Sequence, residues 1–444
     1  MSESVKDIVE RLTERGVDVV RVGFADLLGS ERGKDVLVER LPEVAEGGVS
    51  FCRAVYYTST TGDTVDVPGG LDSGLPDISV RPDLSTLVEL PWEPGVAHCL
   101  GDVIEPRTGE PFAEAPRSVL GAVIARLGEL GLSAVVGPEL EYFLLEPHEG
   151  GWRRYDDQAG NVYTVGRRGD TGSHLLRALR LLRDLDIGVT MGNHEFDGGQ
   201  FEINQHHSDA GDAADRAFRL KSALKELATL DGLRATFMAK PFNDSGGSGF
   251  HIHLSCLDGA GRNVFEDAEA PDGLATSARH AIGGLLAHAP AMAALLNPTV
   301  NSYKRFGPGG AVPYLIDWGL DHRGAMLRVP PERGAGTRLE IRLGDASANP
   351  YLGIAAVLAA AYLGLRDRIE PPTALEGYGY DVTRSPVLPL SLGAALDAFE
   401  ADAELAEVLG KEFSGAYLAF KRAEVARFTS YVTDWEFREY AYHL

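Results

Sequence analysis

Charged side chains recur at alternate positions in several stretches that otherwise read as half-buried strands. In GTRLEIRLGDASANPY (336–351), period-2 alternation puts Arg338, Glu340 and Arg342 on one face and Leu339, Ile341 and Leu343 on the other. Two guanidiniums flanking a carboxylate suit a site that handles anions together with a cation. An isolated stripe of this kind also suits the solvated face of an antiparallel sheet, and related patterning elsewhere weighs against that. AVVGPELEYFLL (134–145) places Glu139 and Glu141 on one side, about 7 Å apart, in a segment so apolar that two carboxylates are costly unless a cation or donors neutralise them. In MGNHEFDGGQFEIN (191–204), the turn signal Asp197-Gly198-Gly199 brings Glu195 and Glu202 together across a hairpin, with Gln200 and Asn204 beside Glu202. FHIHLS (250–255), preceded by SGGSG, sends His251, His253 and Ser255 to one face.

Five or more carboxylates and a histidine on strand faces fit hard divalent cations held mainly through oxygen. Arg305, Arg323, Arg328, Arg338 and Arg342 supply partners for anions. Carboxylate-held Mg²⁺ or Mn²⁺ beside clustered arginines is what phosphoryl transfer requires, because both neutralise charge on phosphate oxygens. Neither GxxxxGKS nor GxGxxG occurs, so a nucleotide would bind without a P-loop or Rossmann turn.

These residues must be positioned by a chain of 444 residues, long enough for two or three domains. The net charge of −23 argues against nucleic-acid and anionic-membrane partners. No apolar run approaches a membrane span, and MSESVKDIVERL reads as an acidic amphipathic helix start, so the expected location is the cytoplasm. Cys52, Cys99 and Cys256 offer neither a disulfide framework nor a metal-ligand spacing.

The expected class is α+β. Residues 1–108 form a first unit: a helix over 4–15, strands over 19–24, 47–57, 86–90 and 96–103, a polar turn over 25–33, and a long Gly/Asp/Thr/Pro-rich loop over 58–83. A helix from Glu114 to about Leu130 opens the second unit, 109–444. There, helices are expected over 173–186, 212–230, 277–296, 350–365 and 392–424, with strands carrying the unusual polar residues.

GPELEYFL, HEFDGGQFEIN, ATFMAKPF, GSGFHIHLS, NPTVNSYKRFGPG and RLEIRLGDASANPYL, in this order and spacing, resemble the signature stretches of the glutamine synthetase family. The similarity runs from FADLLGSERGK to VTDWEFREY. It implies an N-terminal β-grasp-like domain and a catalytic domain whose curved antiparallel sheet, flanked by helices, lines a funnel. It also implies the reaction: ATP phosphorylates glutamate to γ-glutamyl phosphate, which an amine or ammonium then attacks. By the same resemblance, Glu141, Glu195 and Glu202 hold a first Mg²⁺ or Mn²⁺, and Glu139, His251 and Glu340 a second. Arg305, Arg342 and the Gly247 backbone hold glutamate, Arg323 and Arg338 meet the transferring phosphate, and His253, Ser255 and Arg328 belong to the ATP side. Members assemble as homo-oligomers of stacked rings, commonly dodecamers, so the 58–83 loop would complete a neighbour's site.

The chain departs from that pattern around the nucleophile. Ammonia-using members carry a glutamate on a flap where this sequence has Ala311, which can neither accept a proton nor attract a cation. Their Asp-Gly-Ser-Ser stretch is replaced by YYTSTTGDTVDVPGG, in which Asp63 aligns with the ammonium-binding aspartate and Asp77 matches a further family aspartate. Gly246 stands where an asparagine is usual, and Thr190 where a nucleotide-contacting glutamate is common. A larger amine would fit a pocket that has lost charge, with Tyr56, Tyr57 and Val65 as apolar contacts and Asp63 or Asp77 meeting its charge. The expectation is a γ-glutamyl amine ligase; an ordinary glutamine synthetase and a silent regulatory member are the alternatives.

Overall fold

The computed structural model describes residues 3–158, 160–307 and 312–444, so Ala311 lies outside the described residues. Two sheets organise them. The first draws only on residues 19–104: β1 (Val19–Ala25), β2 (Glu31–Leu37), β3 (Val49–Cys52), β4 (Asp77–Pro82), β5 (Val88–Glu89) and β6 (Val96–Ile104), in the order β2-β1-β6-β4-β3 with β5 on β6. β1 and β6 run parallel and the other pairs antiparallel. Helix α1 (Val5–Glu14) buries Ile8 and Leu12 and opens with a capping box between Ser4 and Asp7. Helix α2 (Leu41–Gly47) follows β2.

Three expectations for this unit change. β2 occupies residues read partly as turn, because ERGKDVL is a sheet-edge strand with no buried residue and therefore no alternation to betray it. The strand expected over 47–57 shortens to β3, since Arg53–Tyr57 turns as a 3₁₀ helix to bring Tyr56 and Tyr57 into the core. The 58–83 loop contains β4.

The second sheet has ten strands among the described residues: β7 (Leu132–His148), β8 (Gly151–Arg154), β9 (Val189–His194), β10 (Gln200–Gln205), β11 (Ser208–Asp209), β12 (Arg234–Thr236), β13 (Phe250–Asp258), β14 (Trp318–Leu320), β15 (Leu327–Val329) and β16 (Leu339–Ile341). Its path is β14-β15-β16-β13-β7-β10-β9, with β8, β11 and β12 also on β7; only β14 and β15 run parallel. The strand expected through 336–351 is three residues long, flanked by a 3₁₀ turn at Gly334–Gly336 and by the irregular 342–349 segment.

Helices α3 (Pro116–Glu129), α4 (His174–Asp184), α5 (Ala210–Leu230), α6 (Thr276–Ala287), α7 (Ala289–Leu296) and α8 (Pro350–Asp367) accompany this sheet. The single helix expected over 277–296 divides at His288, where Pro290 in the first turn of α7 has no N–H to continue the ladder. The acidic tail likewise divides into α9 (Leu392–Ala401), α10 (Ala403–Leu409) and α11 (Lys411–Thr429), before a short α12 (Asp434–Tyr440). No described helix is long and apolar enough to cross a membrane.

α8 is apolar all round and buried from Pro350 to Gly364, as a helix enclosed by others must be. It crosses α6 at a glycine pair: a Cβ on Gly284 would lie 2.5 Å from Gly364 Cα and collide with the Ala360 carbonyl. Gly284→Ala is therefore expected to destabilise by about 1–3 kcal/mol, although alanine in a helix interior is worth about 1 kcal/mol over glycine. Chemical denaturation checks the sign, and a stabilised variant would mean that the crossing is loose.

Candidate active site

Strand register assembles the charged side chains into one transverse row. Across β10 and β7, Glu202 faces Glu141; across β7 and β13, Glu139 faces His251; across β13 and β16, His253 faces Glu340, which in turn faces Arg328 on β15. His253 Nε2 lies 3.1 Å from Glu139 Oε1, and His251 Nδ1 lies 3.6 Å from Glu139 Oε2 and 4.0 Å from Glu340 Oε1. Ligand atoms of Glu139, His251 and Glu340 fall within 4.8 Å of one another, as do those of Glu141, Glu202 and His251. Glu195 stands outside both groups, held by Asn193 Nδ2 at 2.7 Å. Glu141 accepts from Gln200 Nε2 (2.9 Å) and from the Gly249 amide (2.8 Å).

The arginines divide into committed and free. Glu340, 2% exposed, accepts from Arg328 Nη1 (2.6 Å) and Arg342 Nη1 (2.5 Å). Arg328 also binds Asp321, and Arg342 Nε donates to the Arg323 carbonyl (3.1 Å). Arg305 is buried and spends its guanidinium on the carbonyls of Ser248 (3.0 Å), Leu343 (3.3 Å) and Gly344 (3.2 Å), leaving its Nε unpartnered. Gly247 lies directly over it. The Arg323 side chain is exposed and makes no ion pair among the described residues. Arg338 donates to His253 Nδ1 (3.2 Å) and Glu332 (3.0 Å).

Beside the row opens a cavity of ≈ 460 Å³ whose wall includes Glu139, His253, Ser255 and Arg338. Ser255 Oγ donates to the Thr337 carbonyl (2.8 Å). Arg328, at the β15 end of the row and paired with Glu340 and Asp321, is not part of this wall.

Residues 113–440 match the family model described as glutamine synthetase, catalytic domain. Glutamine synthetase from Pyrococcus abyssi is 34% identical over 96% of this chain and 97% of its own length; that of Rhizobium meliloti is 36% identical over 95% and 96%. The chain belongs to the glutamine synthetase family. Two solved structures agree: "Apo GmaS without ligand" (35% identity, TM-score 0.87, 98% of this chain and 100% of that one) and "GmaS/ADP complex-Conformation 1" (36%, 0.87, 98% and 99%). The protein is accordingly a glutamine-synthetase-type ATP-dependent ligase that forms C–N bonds.

Within a single copy of this glutamine synthetase relative, Asp63 and Asp77 stay away from the row. Asp63 is exposed and accepts from Thr61 Oγ1, and Asp77 is exposed and accepts from Ser50 Oγ. The apolar contacts expected of Tyr56, Tyr57 and Val65 are unavailable, because all three are buried in the chain's own core. Tyr56 packs against Phe24 and Phe112, while the Tyr57 hydroxyl donates to Glu114, itself tied to Arg53. Thr190 Oγ1 donates to the Asn204 carbonyl. Two further residues join the site without a periodic signal in the sequence: Asp197, whose carboxylate accepts from the Gly246 amide (2.6 Å), and His207, which lines the cavity. The asparagine replaced by Gly246 was the one signal pointing to the first: a Cβ there would lie 2.8 Å from Asp197 Oδ2.

The row's electrostatics ask for a cation. Burial, then the field of Glu141, pushes Glu195 up to about 7; burial, then Glu139, Glu141 and Glu195, pushes Glu202 up to about 8. For Glu340, burial acts to raise the carboxyl but His251, Arg342 and His253 hold it down at about 2. Burial also opposes ionisation of Glu139, yet the two histidines keep it well below the usual range. The residues thus fit divalent metal, whose charge would displace protons from Glu195 and Glu202. The sign follows: both carboxyls bind protons more tightly folded than unfolded, so stability falls as pH rises from about 4.5 to about 8. In chelator, Tm is expected to drop across that window, and Mn²⁺ is expected to remove most of the drop. A Tm in chelator that is flat from pH 5 to 8.5 would contradict this charge distribution.

Proposed function

We propose that the enzyme joins the γ-carboxylate of glutamate to an organic amine in preference to ammonium. Ala311 carries the reading: where ammonia-using members have a flap carboxylate that binds and deprotonates their nucleophile, this chain has a methyl group. An amine with a larger body than ammonium needs the space that a flap carboxylate would otherwise fill. The missing Asp-Gly-Ser-Ser stretch points the same way.

In this reading Arg305, Arg342 and the Gly247 backbone hold the acid, and Arg323, in no ion pair among the described residues, closes with Arg338 on the transferring phosphoryl group. His253 and Ser255 face the nucleotide in the cavity, and Arg328 acts from behind by holding Glu340. Glu139, His251 and Glu340, and Glu141, Glu195 and Glu202, would hold two or three Mg²⁺ or Mn²⁺ ions, which would neutralise charge on the phosphate oxygens. The glutamate carboxylate oxygen attacks the γ-phosphorus and ADP leaves. The amine nitrogen, in its neutral form, then attacks the acyl carbon, the C–O bond to phosphate breaks, and the departing phosphate takes the proton that the nitrogen sheds.

The assembly proposed is a homo-oligomer of stacked rings. An exposed apolar tail supports it: Tyr431 and Val432 just before α12, Trp435 and Phe437 on it and Tyr442 beyond it are all more than half exposed. Asp63 and Asp77, turned away from their own row, would then serve a neighbouring copy.

Phosphate release from ATP with glutamate and Mg²⁺, compared across ammonium, methylamine, ethanolamine and putrescine with products identified by mass, tests the reading. Stimulation by an amine with formation of its γ-glutamylamide is the expected result. Ammonium as the best nucleophile would instead make this an ordinary glutamine synthetase, the name its curated relatives carry.

A further inference from the structure

Behind the catalytic sheet, where the β1–β2 turn of the first unit meets the second, lies another cavity of ≈ 290 Å³. Leu27, Ser30 and Thr60 reach it from the first unit, and Lys221, Lys225 and Lys421 from α5 and α11. Its wall is largely apolar and contains three lysines and no aspartate or glutamate among the described residues. In a chain with 65 acidic against 42 basic residues, that imbalance is contrary to composition.

The lysines are not equivalent. Lys421 is paired with Glu424 at 2.7 Å. Lys221 is buried and donates to the carbonyls of Ala346 (2.8 Å) and Ala348 (2.7 Å), which satisfies two of its three protons without neutralising its charge. Lys225, one helical turn on, makes no ion pair among the described residues. Both ammoniums lie over the ring of Phe237, at 5.3 and 5.7 Å. The carboxylates whose fields reach Lys225, Asp26 and Glu31, are committed to Arg32 and His98. Two like charges at i and i+4 repel, and the buried Lys221 ammonium, reached by the field of Asp345 but in no ion pair with it among the described residues, is costly to desolvate. Burial, and then the field of Lys225, bring Lys221 down to about 7.

We infer that this cavity is a binding site for a small organic carboxylate, whose anionic end lies between Lys221 and Lys225 and whose apolar body rests against Phe237 and the leucine-lined wall. The hydroxyls of Ser30 and Thr60 at the wall can complete the carboxylate's hydrogen bonds. Such a ligand would supply the negative charge that the wall lacks and would touch both units of the chain at once. It is separate from the metal row and from the nucleotide cavity, with which its wall shares no residue.

Benzoate and benzamide, alike in shape and different in charge, are suitable probes. Binding is read by ligand-observed NMR on the whole protein, with ADP, Mg²⁺ and glutamate present to fill the catalytic site. Benzoate is expected to bind saturably and benzamide not. Lys225→Met, at an exposed position outside the catalytic machinery, is expected to weaken benzoate by about tenfold, the loss of one hydrogen bond to a charged group, with phosphate-release activity and Tm unchanged. Equal binding of the two probes, or benzoate binding unaffected by Lys225→Met, would overturn the assignment.

Discussion

Replacing Glu340 by alanine is expected to lower stability by about 3–5 kcal/mol, the cost of leaving a buried charge without its partner, and to lower ligase activity by at least about 10³-fold. The stability loss follows from two ion pairs that share one carboxylate: Arg328 at 2.6 Å and Arg342 at 2.5 Å. Arg328 can fall back on Asp321, whereas Arg342 retains, among the described residues, the Arg323 carbonyl alone. The activity loss is larger than that of a simple arginine shift because Glu340 also lies in the Glu139–His251 group. Glu340→Gln separates the two effects. It keeps hydrogen-bond acceptance and shape, so much of the stability should return while activity stays low for want of charge. Urea denaturation and phosphate release measure these outcomes. An alanine variant that keeps wild-type stability would show that the two guanidiniums do not depend on this carboxylate.

Gly247→Ala should reach the same site from the other side. A Cβ there would lie 2.5 Å from the Ala239 carbonyl and inside the Arg305 side chain. Arg305 cannot retreat easily, since it is 6% exposed and anchored on three carbonyls. The overpacking should cost about 1–3 kcal/mol, and displacement of the 245–249 loop by even 1 Å should lower kcat/KM for glutamate by about 10²-fold. Nucleotide affinity should be unchanged, because the cavity holding His253 and Ser255 has no wall in this loop. An unchanged kcat/KM for glutamate, or a parallel loss of ADP binding, would remove Arg305 and Gly247 from the acid's binding place.

Period-2 alternation identified which side chains of β7, β10 and β13 share a face, because a strand buried on one side has no other way to arrange them. It could not identify which residues sit opposite one another. Register comes from turn geometry and long-range pairing, so the apposition of Glu202 with Glu141 and of Glu340 with both His253 and Arg328 emerged only in three dimensions. The stripe at 338–342 illustrates both halves. Its charged face was legible, while its strand proved three residues long and its arginines differ in burial, Arg342 sinking onto Glu340 and Arg338 remaining half-exposed. Residues without periodic support were least legible. β2 is polar on both sides, Tyr56 and Tyr57 turn inward on a 3₁₀ turn, and the lysine-lined cavity is assembled from separated segments whose sequences show no shared pattern.

The preference for an amine over ammonium is tested most directly by competition in one vessel. The purified enzyme is given ATP, Mg²⁺ and glutamate with ammonium, methylamine, ethanolamine and putrescine at equal concentrations, and the products are counted by mass spectrometry at early times. One γ-glutamylamide is expected to dominate, with glutamine a minor product. Glutamine as the dominant product would rule out an amine preference, because a chain with Ala311 in place of the flap carboxylate would then be using ammonium without that group.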